Sequence, residues 1–247
     1  MGFFILVLNH KLIKMKKILL LISFITLFSS NLSAQNQVYW SEVSMIVEPG
    51  NQGLVYQAVN DFYSSIDFPE GSSVSLNSIN SKGEWREATH YLNFAGTVEG
   101  MAKLRELRSG EAYQNYTDNL SKVAKIVSIV NGNSLIRIAG DNGDFSTQEW
   151  AFQVDDAATF ANAFTTLMEQ FNNDGMYFSL GQYNTGAGLS THYIYTSHKD
   201  YASEMTSGPK NEKDAAALAK FFETVNPISN YRGSTLSTSL ASWSANN

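Results

Sequence analysis

The strongest constraint on this chain is that it repeats itself. Ala88-Thr89-His90-Tyr91 returns as Ser190-Thr191-His192-Tyr193, an offset of 102 residues. Downstream, Ser109-Gly110 and Ser207-Gly208 each precede a helical stretch. Asn131-Gly132-Asn133-Ser134-Leu135 then finds its counterpart in Tyr231-Arg232-Gly233-Ser234-Thr235-Leu236. Short words recur by chance, but preserved order at similar spacing is much harder to obtain by accident. The chain therefore reads as one unit written twice, at residues 35–140 and 141–247, with the turn-rich Asp141-Asn142-Gly143-Asp144 as the joint.

Each copy alternates between two periods. In the first, Tyr39, Val43, Met45 and Val47 share a face at period two, which predicts a strand over 38–47 that ends at Pro49-Gly50. Leu54, Val55, Ala58, Val59, Phe62 and Ile66 follow at helical spacing. Val74–Asn80 and Trp85–Phe94 read as a hairpin around Ser81-Lys82-Gly83. A helical region over 98–127, broken at Ser109-Gly110, then leads through a turn at Asn131-Gly132 into a strand over 134–139. The second copy follows suit. A strand over 147–154 precedes a helix capped by Asp155-Asp156, whose carboxylates can accept first-turn amide hydrogens. Met176–Tyr183 and Leu189–Thr196 form a hairpin around Gly186-Ala187-Gly188. Helices at 199–205 and 214–225 and a last strand at 235–242 complete the copy.

The repeated order is β-α-β-β-α-β, the split arrangement of ferredoxin-like folds: a four-stranded antiparallel sheet with helices on one face. Its other face is bare, and two copies can cover each other sheet to sheet; a monomer fits this, although the sequence leaves the oligomeric state open. On this element order and the Thr-His-Tyr repeat, the chain resembles the dimeric α/β-barrel superfamily, which includes antibiotic biosynthesis monooxygenase-like and stress-responsive barrel proteins. The resemblance implies an α+β fold of two tandem ferredoxin-like repeats packed as an intrachain α/β barrel.

The first 34 residues read as an address. Lys11, Lys14, Lys16 and Lys17 precede the apolar run 18–28 and the small residues Ser29 to Ala34, the pattern of a secretory signal. The apolar run is far shorter than the ~20 residues a membrane-spanning helix needs. Met15, directly before Lys16-Lys17, is a plausible true start. Cleavage after Ala34 would leave 213 residues with Lys+Arg reduced from 17 to 13 against 23 acids, a net charge of −10. Such a surface disfavours nucleic acid and, once the signal is removed, membranes. The location implied is periplasmic or secreted. An exported chain with no cysteine must rely on an ordinary hydrophobic core, and thiolate metal sites are excluded.

Candidate chemistry is sparse. His90 and His192, repeated in equivalent strands, would suit proton transfer or ligation if they faced a barrel lumen. The plainer reading is a half-buried strand histidine bonded to a neighbour. Tyr91 and Tyr193 sit beside them on the opposite face. Glu42 and Glu149 pair when Val47 is aligned with Val154, and such a carboxylate in a first strand could act as a base if buried, although an edge-of-sheet glutamate in water is the commoner case. Trp40 and Trp85 are candidate ligand-stacking residues, although sheet packing is the commoner role. No metal site and no cofactor is called for. Three functions remain: binding a small apolar or aromatic molecule between the repeats, cofactor-independent monooxygenase-like chemistry, and a non-catalytic structural or interaction role.

Overall fold

Two hydrophobic patterns, one of period two and one of period 3.6, become strands and helices in the computed structural model, which describes residues 37–83, 86–140, 145–172 and 175–245. β1 (Tyr39–Val47), α1 (Gln52–Tyr63), β2 (Ser72–Lys82) and β3 (His90–Gly96) are followed by α2 (Val98–Leu107), α3 (Gly110–Val123) and β4 (Ala124–Ile138). The order returns in β5 (Ser146–Val154), α4 (Ala157–Gln170), β6 (Phe178–Thr185) and β7 (His192–His198). It finishes with α5 (Tyr201–Met205), α6 (Glu212–Val225) and β8 (Ser229–Ser244). The address segment 1–34, Trp85 and the joint Asp141–Asp144 lie outside the described residues.

Local chemistry sets the boundaries. Gly50 takes the turn after β1 at φ 93°, a conformation that costs glycine little. Asp156 caps α4, its Oδ1 accepting the Thr159 amide hydrogen at 3.0 Å. Thr97 does the same for α2, its hydroxyl accepting from the Gly100 amide at 3.0 Å.

The eight strands form one antiparallel sheet in the order β1-β3-β2-β8-β5-β7-β6-β4, which closes through the β1–β4 ladder. Each half contributes four neighbours, β4-β1-β3-β2 and β8-β5-β7-β6, and the halves are sewn edge to edge by β2–β8 and β4–β6. The face-to-face covering expected from the sequence is thus replaced by a continuous ring. Two long strands make this possible. β4 pairs along Ala124–Asn133 with β1 and along Asn131–Ile138 with β6. β8 pairs along Ser229–Thr238 with β5 and along Thr235–Ser244 with β2. Unpaired edge strands expose backbone donors and acceptors, and ring closure removes every edge.

The expected turn at Asn131-Gly132 is therefore strand, and the helix expected to reach Val127 stops at Val123. Ile126, Val127, Ile129 and Val130 are β-branched and favour an extended backbone, while a partner strand on each side outweighs the Asn-Gly turn tendency.

Helices cover the outer face. Met45, Val55, Val59, Phe62, Leu76 and Phe94 belong to one core under α1 and α3; Phe152, Phe160, Phe164, Leu180, Ile194 and Phe221 to another under α4 and α6. Burying a residue such as Phe160 or Leu180 contributes about 1.5–3 kcal/mol. The straddling strands exchange apolar residues: Trp243 of β8 packs into the first core, and Ile136 and Ile138 of β4 pack against the second.

Candidate functional site

Alternation along each strand sends one set of side chains to the helices and the other into the ring. In β1, Val43, Met45 and Val47 pack outward, leaving Trp40, Glu42 and Ser44 inside. In β5, Trp150 and Phe152 pack outward, and Thr147 and Glu149 turn inward. β3 contributes Tyr91, β6 Ser179 and Tyr183, and β7 Tyr193 and Tyr195.

These residues surround open space. A cavity of about 730 Å³ runs toward Ser72 and Ser244, and another of about 400 Å³ opens beside the 186–190 turn and Arg86. Trp40, Glu42 and Glu149 line both. Much of the remaining lining of the larger cavity is hydroxyl and amide, including Ser75, Asn77, Asn93 and Ser179.

The charged centre has two unlike carboxylates. Arg86 pairs with Glu42, and Ser44 donates its hydroxyl hydrogen to the same carboxylate oxygen. The guanidinium also donates to Ser44 Oγ and Thr235 Oγ1, each at 3.3 Å, and lies 5.4 Å from the centre of the Tyr91 ring. Burial works against this cation, but Glu42 and Glu149 outweigh it and hold the Arg86 pKa above its ordinary value. Glu149 instead accepts the Tyr183 hydroxyl at 2.7 Å. Burial raises its pKa above the ordinary carboxylate value; Arg86 pulls it back, Glu42 pushes it further up, and the Tyr183 bond again lowers it. Burial likewise raises Tyr91, Tyr183, Tyr193 and Tyr195, so these phenols keep their protons.

Trp40 and two tyrosines form the wall next to Glu149. The Trp40 indole donates to the Tyr193 hydroxyl at 2.7 Å, and the Trp40–Tyr193 ring centres are 5.4 Å apart, edge to face. Tyr183 meets both rings, at 5.8 Å and 5.2 Å. Two glycines leave room for this cluster. A Cβ on Gly132 would fall 2.4 Å from the Trp40 ring, and one on Gly181 2.1 Å from the Tyr193 ring.

The structure thus brings together Glu42, Glu149, Trp40, Tyr91 and Tyr193, and leaves out the histidines. His90 shares its outward face with Leu92 and Phe94, and His192 lies 6.2 Å from the Phe160 ring on the helix side. Neither is among the residues lining the two cavities in the ring, and the geometry fits the plainer reading of a strand histidine bonded to its neighbour rather than a lumen group. Their repetition has a structural reason. Thr89 Oγ1 accepts the Val47 amide hydrogen at 2.9 Å and lies 3.0 Å from His90 Nδ1; Thr191, Val154 and His192 repeat both distances. Burial lowers both imidazole pKa values, favouring the neutral form. Among the described residues, no three His, Asp or Glu side chains gather as metal ligands.

Arg86, Tyr183 and Tyr195 were not singled out from the sequence. The usable signal was parity: the face holding Leu92, Phe94 and Ile194 is the helix-packed one, which assigns the alternate residues to the lumen. Arg86 precedes β3 in an irregular segment, where no periodicity points to it.

No family model and no curated protein matches this sequence. Solved structures do. An anthrone oxidase-like protein is 12% identical, with 87% of this chain and 96% of that one covered at a TM-score of 0.52. A candidate monooxygenase from Lactobacillus acidophilus is also 12% identical, covering 85% and 96% at 0.54. One from Fusobacterium nucleatum is 11% identical, covering 84% and 94% at 0.56. At such identities the likeness is one of fold, the α+β ferredoxin-like type of these monooxygenase-like proteins.

Proposed function

We propose that this protein is exported and binds a small aromatic molecule inside its ring of strands. The observation that carries the reading is the open interior. Its cavities of about 730 and 400 Å³ bracket the middle of the ~300–1,000 Å³ range of ligand pockets, whereas a lumen packed with its own side chains would leave no such space. The hydroxyl-rich lining favours a ring bearing polar groups over a bare hydrocarbon. Export rests on the basic patch, apolar run and small residues ahead of Gln35. The closed sheet is, in this reading, a single-chain counterpart of a dimeric α/β barrel made by tandem duplication of residues 35–140 and 141–247. The recurring element order and the matched Thr89–His90 and Thr191–His192 contacts support it.

Native mass spectrometry of protein purified from its source tests the binding. A mass excess that disappears on denaturation, and that is lost in Ser75→Trp, is the expected result. Unliganded mass in both forms would count against it.

A second reading, monooxygenase-like catalysis without a cofactor, is favoured by the names of the structural neighbours. Proton handling would fall to Glu149 and Tyr183, since the histidines face the helices. Oxygen uptake on adding anthrone, abolished by Glu149→Gln, is its signature; no uptake speaks against that activity.

A further inference from the structure

We propose that the molecule bound in the lumen is an organic cation, an ammonium group on an aromatic body, held between the Glu149 carboxylate and the Trp40–Tyr183–Tyr193 wall. This rests on the lumen being a binding site and names the chemistry it selects.

The argument is one of unmatched charge. Deep in the ring stand Glu42, Glu149 and Arg86. The other charged residues lining the two cavities, Glu70, Glu87, Arg137 and Arg232, are exposed at the rims, where Arg137 donates to the Tyr177 hydroxyl. Arg86 is spent on Glu42, with Ser44 and Thr235 taking further donors. Glu149 is left with a neutral hydroxyl, that of Tyr183. A carboxylate facing a confined cavity is stabilised in its charged form by a cation, and no side chain forms an ion pair with Glu149 among the described residues.

The surroundings suit a cation. Trp40, Tyr183 and Tyr193 present aromatic rings beside the carboxylate, and ring faces attract ammonium groups strongly once water is excluded. All the groups facing Glu149 from neighbouring strands fit this assignment. Tyr91, Tyr193 and Tyr195 keep their protons, Glu42 adds negative potential, and Arg86, the one deep cation among the described residues, is ion-paired with Glu42 and reaches Glu149 only through its field. An anionic ligand would meet two carboxylates and find Arg86, the deep guanidinium among the described residues, already paired with Glu42.

The test uses three probes with one body: benzylammonium, benzyl alcohol and benzoate, titrated into the full mature chain by calorimetry. Benzylammonium should bind at least ~10-fold more tightly than benzyl alcohol, with benzoate weakest. Its affinity should rise with pH as Glu149 ionises, and Glu149→Gln should erase both the preference and the pH dependence. Glu149→Asp, which keeps the charge, should retain the order of the probes. Equal or tighter binding of benzyl alcohol overturns the cation assignment and leaves lumen binding standing. Tightest binding of benzoate overturns it as well. No binding by any probe, with a co-purifying neutral molecule found by mass spectrometry, also rejects the cation while supporting the pocket.

Discussion

Glu42 and Glu149 stand at equivalent places, five residues before Val47 and Val154, yet one is ion-paired and the other is not. That difference has a measurable consequence. A carboxyl whose pKa is higher folded than unfolded costs stability once it must ionise. The penalty is absent below the unfolded value, near the ordinary 4.5, and grows as pH rises toward the raised folded value. Glu149→Gln should therefore match the parent at about pH 4 and exceed it in melting temperature at about pH 7, its amide oxygen still accepting from Tyr183. A parent and variant with parallel pH profiles would contradict this. Glu42, by contrast, has a cation beside it. Arg86→Met leaves a carboxylate buried without its partner, and should cost about 3–5 kcal/mol in denaturant titrations. Equal offsets from Val47 and Val154 singled out these two glutamates in the sequence, although a water-facing sheet edge was the commoner expectation and the structure places both at the cavities instead. Their partners were not singled out, because Arg86 arrives from an irregular segment and Tyr183 from a strand across the ring.

Strand periodicity foretold β1, β5 and the two hairpins, and Asp156 marked the start of α4. The long strands β4 and β8 were cut short, since β4 holds an Asn-Gly pair, a strong local turn signal, and the pairing partners of both are distant in sequence. The glycine that looked like a turn is spacing: Gly132 lies under the Trp40 ring, as Gly181 lies under Tyr193. Such a role cannot be seen before the opposing ring is placed. Gly181→Ala should push the phenol off the Trp40 indole and cost about 1–3 kcal/mol. Tyr193→Ser in the same chain should recover part of that loss, so a double-mutant cycle by chemical denaturation should show favourable coupling. Strictly additive effects would mean that the methyl is accommodated elsewhere. The histidine repeat is the opposite case. It is prominent in sequence because each Thr-His pair ties off the first strand of its half, a packing task that needs no lumen.

For the whole molecule, ring closure carries its own prediction. In the intact chain β2 meets β8, the counterpart of β4, while β4 meets β6, the counterpart of β2. Residues 38–140 alone expose both of those edges, so two copies should pair β2 with β4 reciprocally. Light scattering should report a dimer, with circular dichroism retaining mixed α+β character; a folded monomer would refute the edge-to-edge logic. That dimer would differ from the natural protein in one respect. A two-fold axis forces every lumen group to occur in duplicate, so each Glu42 would come with its own Arg86. Joining unlike halves in one polypeptide lifts that rule. It permits an odd number of charges at the centre, and with it a cavity that can tell one end of a guest from the other.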